Sequence, residues 1–236
     1  EKCHIYRNAI ERKIDHGIIK CGGFKVAVDV MHGSTSEIVP ALLNYLGVEN
    51  IILNAYYDEN KLSNIKTLEK KSASNISSIV KSLNYDMGIL IYPNAQRVTI
   101  ITEKGEKLDK IKALYTVLSL YNIEATDKKK RVFLPTWAPD IKYFENLEIE
   151  RGKYSNFTAS QLKSYDLVAT VDGNYSFSEF GYTRDAIYSS LKIMELLSCH
   201  QVKLSELAKA IDDFYYKTFK IDCSQALKGK MMRKFL

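Results

Sequence analysis

Apolar residues recur along this chain with two spacings, one typical of strands and the other typical of helices. A mostly apolar run over 24–30 predicts a buried strand, and Val39, Leu42 and Leu46 then recur on one face of a helix. The same order of strand and helix returns several times downstream. Strands that alternate with helices predict βαβ units, so the expected fold class is α/β with mostly parallel sheets.

Each half of the chain has its own series of predicted elements. The first half is expected to contain a helix over 5–19, a strand over 24–30, a helix that begins near Ser36 and ends at Gly47, a strand over 50–55, a loop over 58–71, a helix over 74–83, a strand over 87–91, an edge strand over 97–102 and a helix over 111–118. The second half is expected to contain a strand over 131–135, a helix over 139–144, strands over 147–150 and 166–171, helices over 158–164 and 183–197, and a last helix that carries Leu204 and Tyr215. A polar stretch over 124–130 joins the two series as a linker.

These series predict four segments. Residues 1–23 form an N-terminal helix that leads into the fold, 24–123 and 124–213 form two α/β domains, and 214–236 form the start of a C-terminal unit that is cut off. The chain begins at Glu1 and its pattern is helical almost at once. We therefore expect it to be a piece of a longer polypeptide.

Composition narrows the classes of protein that this chain could be. Hydrophobic residues make up 46% and charged residues 26%, as in a globular rather than a disordered chain. No apolar run approaches the roughly 20 residues that cross a bilayer, so no membrane partner is expected. The four cysteines form no CxxC pair, which indicates a reducing, cytoplasmic setting rather than disulfides or a zinc site. The four histidines show no ligand spacing either, so none is assigned a metal or catalytic role.

The net charge of +6 includes one dense basic run at 128–131. Such a run could contact nucleic acid or phosphate, or it could be a solvated linker between domains. Its aromatic neighbours have the pattern of strand and core residues rather than of a stacking platform. The linker is therefore the favoured interpretation, and no nucleic-acid partner is expected.

Three stretches resemble the phosphohexomutase (phosphoglucomutase/phosphomannomutase) family. Residues 25–34 and 40–47 resemble the strand, glycine turn and helix that open the family's second domain. Residues 86–105 occupy the place of its metal loop, Asp-Gly-Asp-x-Asp-Arg. Residues 172–176, followed by 184–186, resemble the third-domain loop that recognises sugar hydroxyls, usually Gly-Glu-x-Ser-Gly. The resemblance implies two tandem three-layer α/β/α domains of the phosphoglucomutase type, equivalent to the family's domains II and III.

A narrower subset of proteins also resembles this chain. In some bacterial proteins a sugar nucleotidyltransferase of the mannose-1-phosphate guanylyltransferase type carries a mutase-like C-terminal half. Their loop, Pro-Asn-x-x-Arg, is similar to residues 93–97 here, and their final segment is similar to residues 223–233.

The resemblance also shows which catalytic groups of the family have no counterpart in this sequence. The family holds Mg²⁺ with three loop carboxylates, whereas this chain has Tyr92, Asn94 and Gln96 at those positions, a degenerate metal loop. No metal and no cofactor is therefore expected. The reactive serine loop, Thr-Ala-Ser-His-Asn-Pro, is matched only weakly by 158–162, where Ser160 is better explained as a helix N-cap. The phosphate clamp, Arg-x-Ser-Gly-Thr-Glu, has no match, so no residue is assigned a catalytic role.

Substrate binding is a separate matter. Arg97 ends the loop and could pair with a phosphate oxygen, or it could be an exposed ion-pair partner on an edge strand. The resemblance implies that a second group of residues recognises sugar hydroxyls. The alternative is that the first residues of this group, 172–174, only form a turn, since their sequence favours a turn in any protein. That group comprises Asp172, Gly173, Asn174, Ser176 and Glu179.

Two functions follow from these expectations. The first is a non-catalytic, mutase-like module of a GDP-mannose-type sugar-nucleotide biosynthetic protein, with a role in sugar-phosphate binding, regulation or assembly. The alternative is part of an active phosphomannomutase or phosphoglucomutase whose serine loop and phosphate clamp lie outside this chain. The expected partners are a sugar phosphate, the rest of the parent polypeptide and further copies of the chain in a homo-oligomer.

Overall fold

Two four-stranded sheets, one in each half of the chain, organise the structure. The computed structural model describes residues 2–153, 162–212, 214, 217, 219 and 222–234. Within these residues the first sheet has the strand order β2-β1-β3-β4 and the second has the order β6-β5-β7-β8. In both sheets the last strand is antiparallel and the other pairs are parallel. The α/β class with mostly parallel sheets is therefore confirmed.

The elements of the first half surround the first sheet. They are α1 (Lys2–Glu11), α2 (His16–Cys21), β1 (Lys25–Asp29), α3 (Ile38–Tyr45), β2 (Glu49–Leu53), a 3₁₀ helix (Glu59–Asn64), α4 (Ile65–Leu83), β3 (Met87–Ile91), β4 (Val98–Ile101) and α5 (Lys110–Glu124). The predicted edge strand over 97–102 is confirmed, since β4 pairs only with β3 among the described strands.

The second half contributes the second sheet and the helices that follow it. These elements are β5 (Lys130–Pro135), β6 (Leu147–Gly152), β7 (Leu167–Thr170), β8 (Asn174–Phe177), α6 (Ala186–His200), α7 (Leu204–Lys209) and α8 (Gln225–Lys234). None of the described helices has both the length and the apolar character needed to cross a membrane. The boundary proposed at 123/124 lies at the end of α5, and the four-segment division stays a prediction.

The first sheet is covered on both faces. Val26 and Val28 of β1 belong to a buried cluster that includes residues of α3, whereas Ala27 between them belongs to a second cluster with Ile76 and Val80 of α4. Neighbouring side chains of a strand point to opposite faces, so β1 is buried on both sides, as expected for a central parallel strand. This unit therefore has three layers, with α3 and α4 on opposite faces of the sheet.

The helix α5 connects the two units and is buried on most of its surface. Ten of its residues are buried, and it packs against α6 and α7 while also contacting β4. One cluster of buried side chains extends from Val26 in the first sheet to Val132 in the second. The two units therefore share a continuous core.

Two predicted elements of the first half need correction. The helix expected over 5–19 is divided, because the side chain of Asp15 caps a new helix by accepting a hydrogen bond from Ile18 N. The loop expected over 58–71 is wrong, since it contains the 3₁₀ helix and the start of α4. Asn64 caps α4 through Thr67 N, and Leu68 packs against the buried cluster below it. Capping and one apolar face here outweigh the polar composition.

The second half also departs from the prediction. The helix expected over 139–144 is wrong, because this segment is irregular and the carbonyl of Pro139 accepts a hydrogen bond from the Tyr115 hydroxyl. Strand β8 was expected to be a loop, but its residues pair with β7 over four positions. The predicted helix over 158–164 falls largely outside the described residues, and Tyr215 also lies outside them.

A buried charged network lies along α6. Lys192 Nζ lies 2.8 Å from Glu195 Oε2 and 3.1 Å from Glu179 Oε1. Burial alone would lower the pKa of Lys192, but the hydrogen bond to Glu195 and the charges of Glu179 and Glu195 outweigh it and raise the pKa above its ordinary value. The other oxygen of Glu195 accepts a hydrogen bond from Asp15 N at 2.6 Å, so the network also holds the start of α2.

We expect Lys192→Met to lower the free energy of unfolding by about 3–5 kcal/mol, because it leaves a buried carboxylate without its cation. The matched control is Lys110→Met, whose exposed pair with Asp172 should contribute less than about 1 kcal/mol. Urea unfolding followed by circular dichroism measures both. Since the folded pKa of Lys192 is raised, its contribution should be present below pH 10.5 and lost as pH rises through that folded pKa. Equal losses in the two variants would contradict a buried network.

Candidate functional site

The loop after β3, residues 92–97, lies at the carboxyl edge of the first sheet beside the turn that follows β1. The carbonyl of Pro93 accepts hydrogen bonds from Ser34 N at 3.0 Å and from Ser34 Oγ at 2.9 Å. A Cβ at Gly33 would stand 2.3 Å from Pro93 Cα, so only glycine permits this approach. The backbone of the loop is therefore fixed by the neighbouring turn.

Within the loop, the polar side chains serve the loop itself. Asn94 Oδ1 accepts a hydrogen bond from Gln96 N at 3.2 Å, and Ala95 has a left-handed backbone with φ of 57°. Both Asn94 and Gln96 are exposed. The amide oxygen of Asn94 is thus engaged in the kind of turn that asparagine forms with its own backbone.

Tyr92, by contrast, is buried and uncharged. Burial, together with a hydrogen bond to Glu69, raises the pKa of Tyr92 to about 12. The hydroxyl therefore keeps its proton at neutral pH. The guanidinium of Arg97 lies over the ring, with Cζ 4.1 Å from the ring centroid, a cation–π contact. Tyr92 and Arg97, both predicted loop residues, are therefore in direct side-chain contact.

The donor set of this loop does not fit Mg²⁺. A small hard dication is held in proteins by carboxylate oxygens and waters in octahedral geometry. The loop offers a protonated phenol at Tyr92, an amide at Asn94 already used by the backbone, and an exposed amide at Gln96. No negative charge stands at any of these three positions, so no chemical step is derived through a metal here.

The turn between β7 and β8 joins the loop through the backbone. Val98 N donates a hydrogen bond to Gly173 O at 2.9 Å, and Ala186 N at the start of α6 donates to Ala95 O at the same distance. Gly173 has φ of 77°, and a Cβ there would stand 2.3 Å from Val98 O. The two regions that the resemblance assigns to metal and sugar are therefore adjacent.

The remaining predicted sugar-binding residues have other contacts. Asp172 forms an exposed ion pair with Lys110 at 2.7 Å. Asn174 and Ser176 are buried in β8, where Asn174 Nδ2 donates to Thr170 Oγ1 at 2.9 Å. Glu179 accepts a hydrogen bond from the Tyr188 hydroxyl at 2.7 Å besides its pair with Lys192. Sugar binding by these residues stays a prediction.

A cleft of about 380 Å³ lies where the loop and the turn meet. Its lining includes Tyr92 from the loop and Gly173 from the turn, together with two ion pairs, Lys107–Glu69 at 2.6 Å and Lys110–Asp172 at 2.7 Å. The charged residues that line it are Glu69, Lys107, Asp109, Lys110 and Asp172. The cleft therefore has polar groups of both signs around an apolar floor.

Sequence reasoning missed the pair of Lys107 and Glu69. Burial alone would raise the pKa of Glu69, but hydrogen bonds from Lys107 and Tyr92 and nearby positive charge outweigh it and hold the pKa below its ordinary value. The two residues are 38 positions apart, and Glu69 lay in a predicted loop. If the helix predicted over 74–83 had been started at Ile65, Glu69 would have been placed on α4, which packs on one face of the first sheet.

Comparison with known proteins identifies the class of protein that this chain resembles. Residues 4–105 match the family model described as phosphoglucomutase/phosphomannomutase, alpha/beta/alpha domain II. The chain is therefore phosphohexomutase-like. A crystal structure of a phosphoglucomutase/phosphomannomutase family protein from Burkholderia thailandensis superposes with a TM-score of 0.67 at 15% identity, over 90% of this chain and 47% of that chain. At this identity the likeness shows the fold.

Curated relatives give a more particular likeness. The chain is 26% identical over 219 residues to the phosphoglucosamine mutase of Methanocaldococcus jannaschii, which covers 89% of this chain and 49% of the relative. It is 29% identical over 238 residues to the "Probable phosphoglucosamine mutase" of Pyrococcus horikoshii, which covers 97% of this chain and 51% of the relative. The chain thus spans about half the length of these relatives. These comparisons do not show the narrower resemblance to guanylyltransferase-linked proteins.

We expect Gly173→Ala to destabilise the protein more than Gly23→Ala. Both glycines have positive φ, 77° and 61°, so each substitution carries the cost of a left-handed backbone. Only at Gly173 would the new methyl group meet another atom, the carbonyl oxygen of Val98, whereas nothing lies within 4 Å at Gly23. Overpacking should add about 1–3 kcal/mol to the loss in unfolding free energy. Urea titration of both variants measures the difference, and equal losses would contradict the close junction.

Proposed function

We propose that this chain is the part of a phosphohexomutase equivalent to domains II and III, and that it binds a hexosamine phosphate. The names of the curated relatives, phosphoglucosamine mutases, support the hexosamine class. The match of residues 4–105 to domain II supports the family assignment of the first unit. The activity of the complete protein would be an intramolecular phosphotransfer, with the reactive serine and the phosphate clamp supplied from outside these residues.

The observation that carries this proposal is the junction of loop and turn. Two backbone hydrogen bonds of 2.9 Å join residues 95 and 98 to Ala186 and Gly173. They bring the loop that would face the phosphate and the turn that would face the sugar to one cleft of about 380 Å³. A volume of this order is within the usual range of small-molecule sites.

The cleft also offers groups suited to a phosphorylated sugar. Arg97 does not itself line the cleft, but it stacks on Tyr92, which does, so its guanidinium is held beside the cleft for a charge-assisted hydrogen bond with a phosphate oxygen. Lys107 and Lys110 add positive charge, each balanced by one carboxylate. Asp172 and Glu69 could accept hydrogen bonds from sugar hydroxyls or from a protonated amine.

A second function is favoured by the loop chemistry. Tyr92, Asn94 and Gln96 supply no anionic ligand, and phosphoryl transfer in this family depends on a dication to balance developing charge. A non-catalytic module that binds sugar phosphate would retain the cleft and dispense with the metal. The link to a guanylyltransferase and to GDP-mannose belongs to this second proposal, and it rests only on the sequence resemblance of residues 93–97 and 223–233.

Calorimetric titration of the 236-residue chain with glucosamine 6-phosphate, glucosamine 1-phosphate and mannose 1-phosphate tests binding. We expect a glucosamine phosphate to bind, and Arg97→Ala to weaken that binding about 10-fold or more, since a hydrogen bond to a charged group contributes roughly 1.5–3 kcal/mol. Arg12→Ala is the matched control, because Arg12 is exposed and lies outside both the 92–97 loop and the lining of the cleft. No heat with any of the three ligands would overturn both functions.

A coupled assay separates the two functions. A longer polypeptide that carries these residues is tested for interconversion of the two glucosamine phosphates, with and without added Mg²⁺. Turnover would support the mutase, and binding without turnover would support the non-catalytic module. Tighter binding of mannose 1-phosphate than of either glucosamine phosphate would contradict the hexosamine class.

A further inference from the structure

Three side chains capable of binding a metal converge at the ends of two helices. Glu124 is the last residue of α5, and Cys199 and His200 end α6. One ligand atom from each lies within 4.8 Å of the other two, and His200 Nε2 is 2.8 Å from Glu124 Oε2. The sequence prediction assigned these cysteine and histidine residues no metal role, because the cysteines form no CxxC pair and the histidines show no ligand spacing. Glu124 lies 76 positions from His200 in the chain.

The local electrostatics at this place favour a cation. Both helices present their carboxyl ends here, and the exposed carbonyl groups of a helix end carry partial negative charge. Glu124 adds a full negative charge at the unfavourable end of α5. The packing of α5 against α6 brings the two negative ends together. A dication at this point would offset both helix ends and the carboxylate.

The donor set selects the kind of cation. A thiolate, an imidazole and a carboxylate form a mixed set of sulfur, nitrogen and oxygen that suits Zn²⁺ and is unsuitable for Mg²⁺. A tetrahedral zinc ion places its ligand atoms roughly 3.5 Å apart, given bond lengths of about 2.0–2.3 Å. The present separations, from 2.8 Å between His200 and Glu124 to at most 4.8 Å, bracket that value. Small rotamer changes would therefore complete three corners of a tetrahedron.

We propose that Glu124, Cys199 and His200 form a Zn²⁺ site that fastens the end of α5 to the end of α6. Cys199 is exposed, while Glu124 and His200 are half-buried, so water can take the fourth position. The site is separate from the cleft. Ala186, at the other end of α6, contacts the 92–97 loop, and the 15 residues of this helix span about 22 Å.

A hydrogen bond between His200 and Glu124 is the simpler explanation of their contact. That hydrogen bond alone gives no reason for the sulfur of Cys199 to lie within 4.8 Å of ligand atoms of both groups. It also predicts no dependence of metal binding on Cys199. The two explanations therefore differ in the role of one exposed cysteine, which can be replaced with little risk to the fold.

Titration of the reduced, metal-free 236-residue chain with Co²⁺ tests the site. We expect one Co²⁺ per chain, the absorption of a tetrahedral site with a sulfur-to-cobalt charge-transfer band, and displacement by Zn²⁺. Cys199→Ser should abolish the charge-transfer band and weaken Zn²⁺ binding at least 10-fold. Glu124→Gln should weaken it by a similar factor. Cys21→Ser and Cys223→Ser are the matched controls, because both cysteines are exposed and lie outside the cluster.

A second measurement needs no variant. Zn²⁺ should protect Cys199 from iodoacetamide while Cys21 and Cys223 react as before, which peptide mass spectrometry resolves. A charge-transfer band that persists in Cys199→Ser, or one that disappears in either control, would overturn the proposal. So would the absence of Zn²⁺ binding below millimolar concentration in the wild-type chain, which would leave the hydrogen bond as the explanation of the contact between His200 and Glu124.

Discussion

The junction between the two α/β units depends on a close approach of backbone to backbone at Gly173. Val98 begins the antiparallel edge strand of the first sheet, and its amide donates to the carbonyl of Gly173 at 2.9 Å. A side chain at Gly173 would occupy the space of the Val98 carbonyl oxygen. The second bond, from Ala186 to Ala95, then fixes the start of α6 against the same loop. Val98 and Gly173 both line the cleft, so their contact helps to set its shape, while the ion pairs of Lys107 and Lys110 supply its charged groups.

The strongly periodic elements were predictable from the sequence because local pattern and tertiary packing agree there. β1, for example, is buried on both faces, and the nearly continuous run of apolar residues in its sequence predicts this burial. Where the local sequence pattern and the tertiary packing disagree, the prediction was wrong. The polar stretch over 58–71 contains the capped start of α4, and the turn chemistry of Asp172 and Gly173 concealed the strand that starts at Asn174. In both places hydrogen bonds made on folding outweigh composition.

The polar contacts of the cleft, and those at the ends of α5 and α6, were harder to predict from the sequence. Arg97 and Tyr92 are close in the chain, and their resemblance to a known loop drew attention to them. Lys107 and Glu69 are paired across 38 positions, and Glu124 and His200 across 76. No periodicity encodes such pairs, because they depend on where two elements end after the sheet has formed. Residue spacing can indicate a site carried by one loop, whereas a site assembled from distant helix ends requires the three-dimensional structure.

The 92–97 loop also shows how the backbone of a site can stay the same while the charges of its side chains differ. Gly33 and Gly173 are fixed by close backbone contacts, with Pro93 and Val98, that involve no metal ligand. Three carboxylates on one short loop, by contrast, repel one another unless a dication balances them. Neutral side chains at Tyr92, Asn94 and Gln96 remove that repulsion, and Asn94 also gains a hydrogen bond within the loop. In a chain that does not use the metal, stability therefore favours the neutral loop, and the backbone around it has no reason to change.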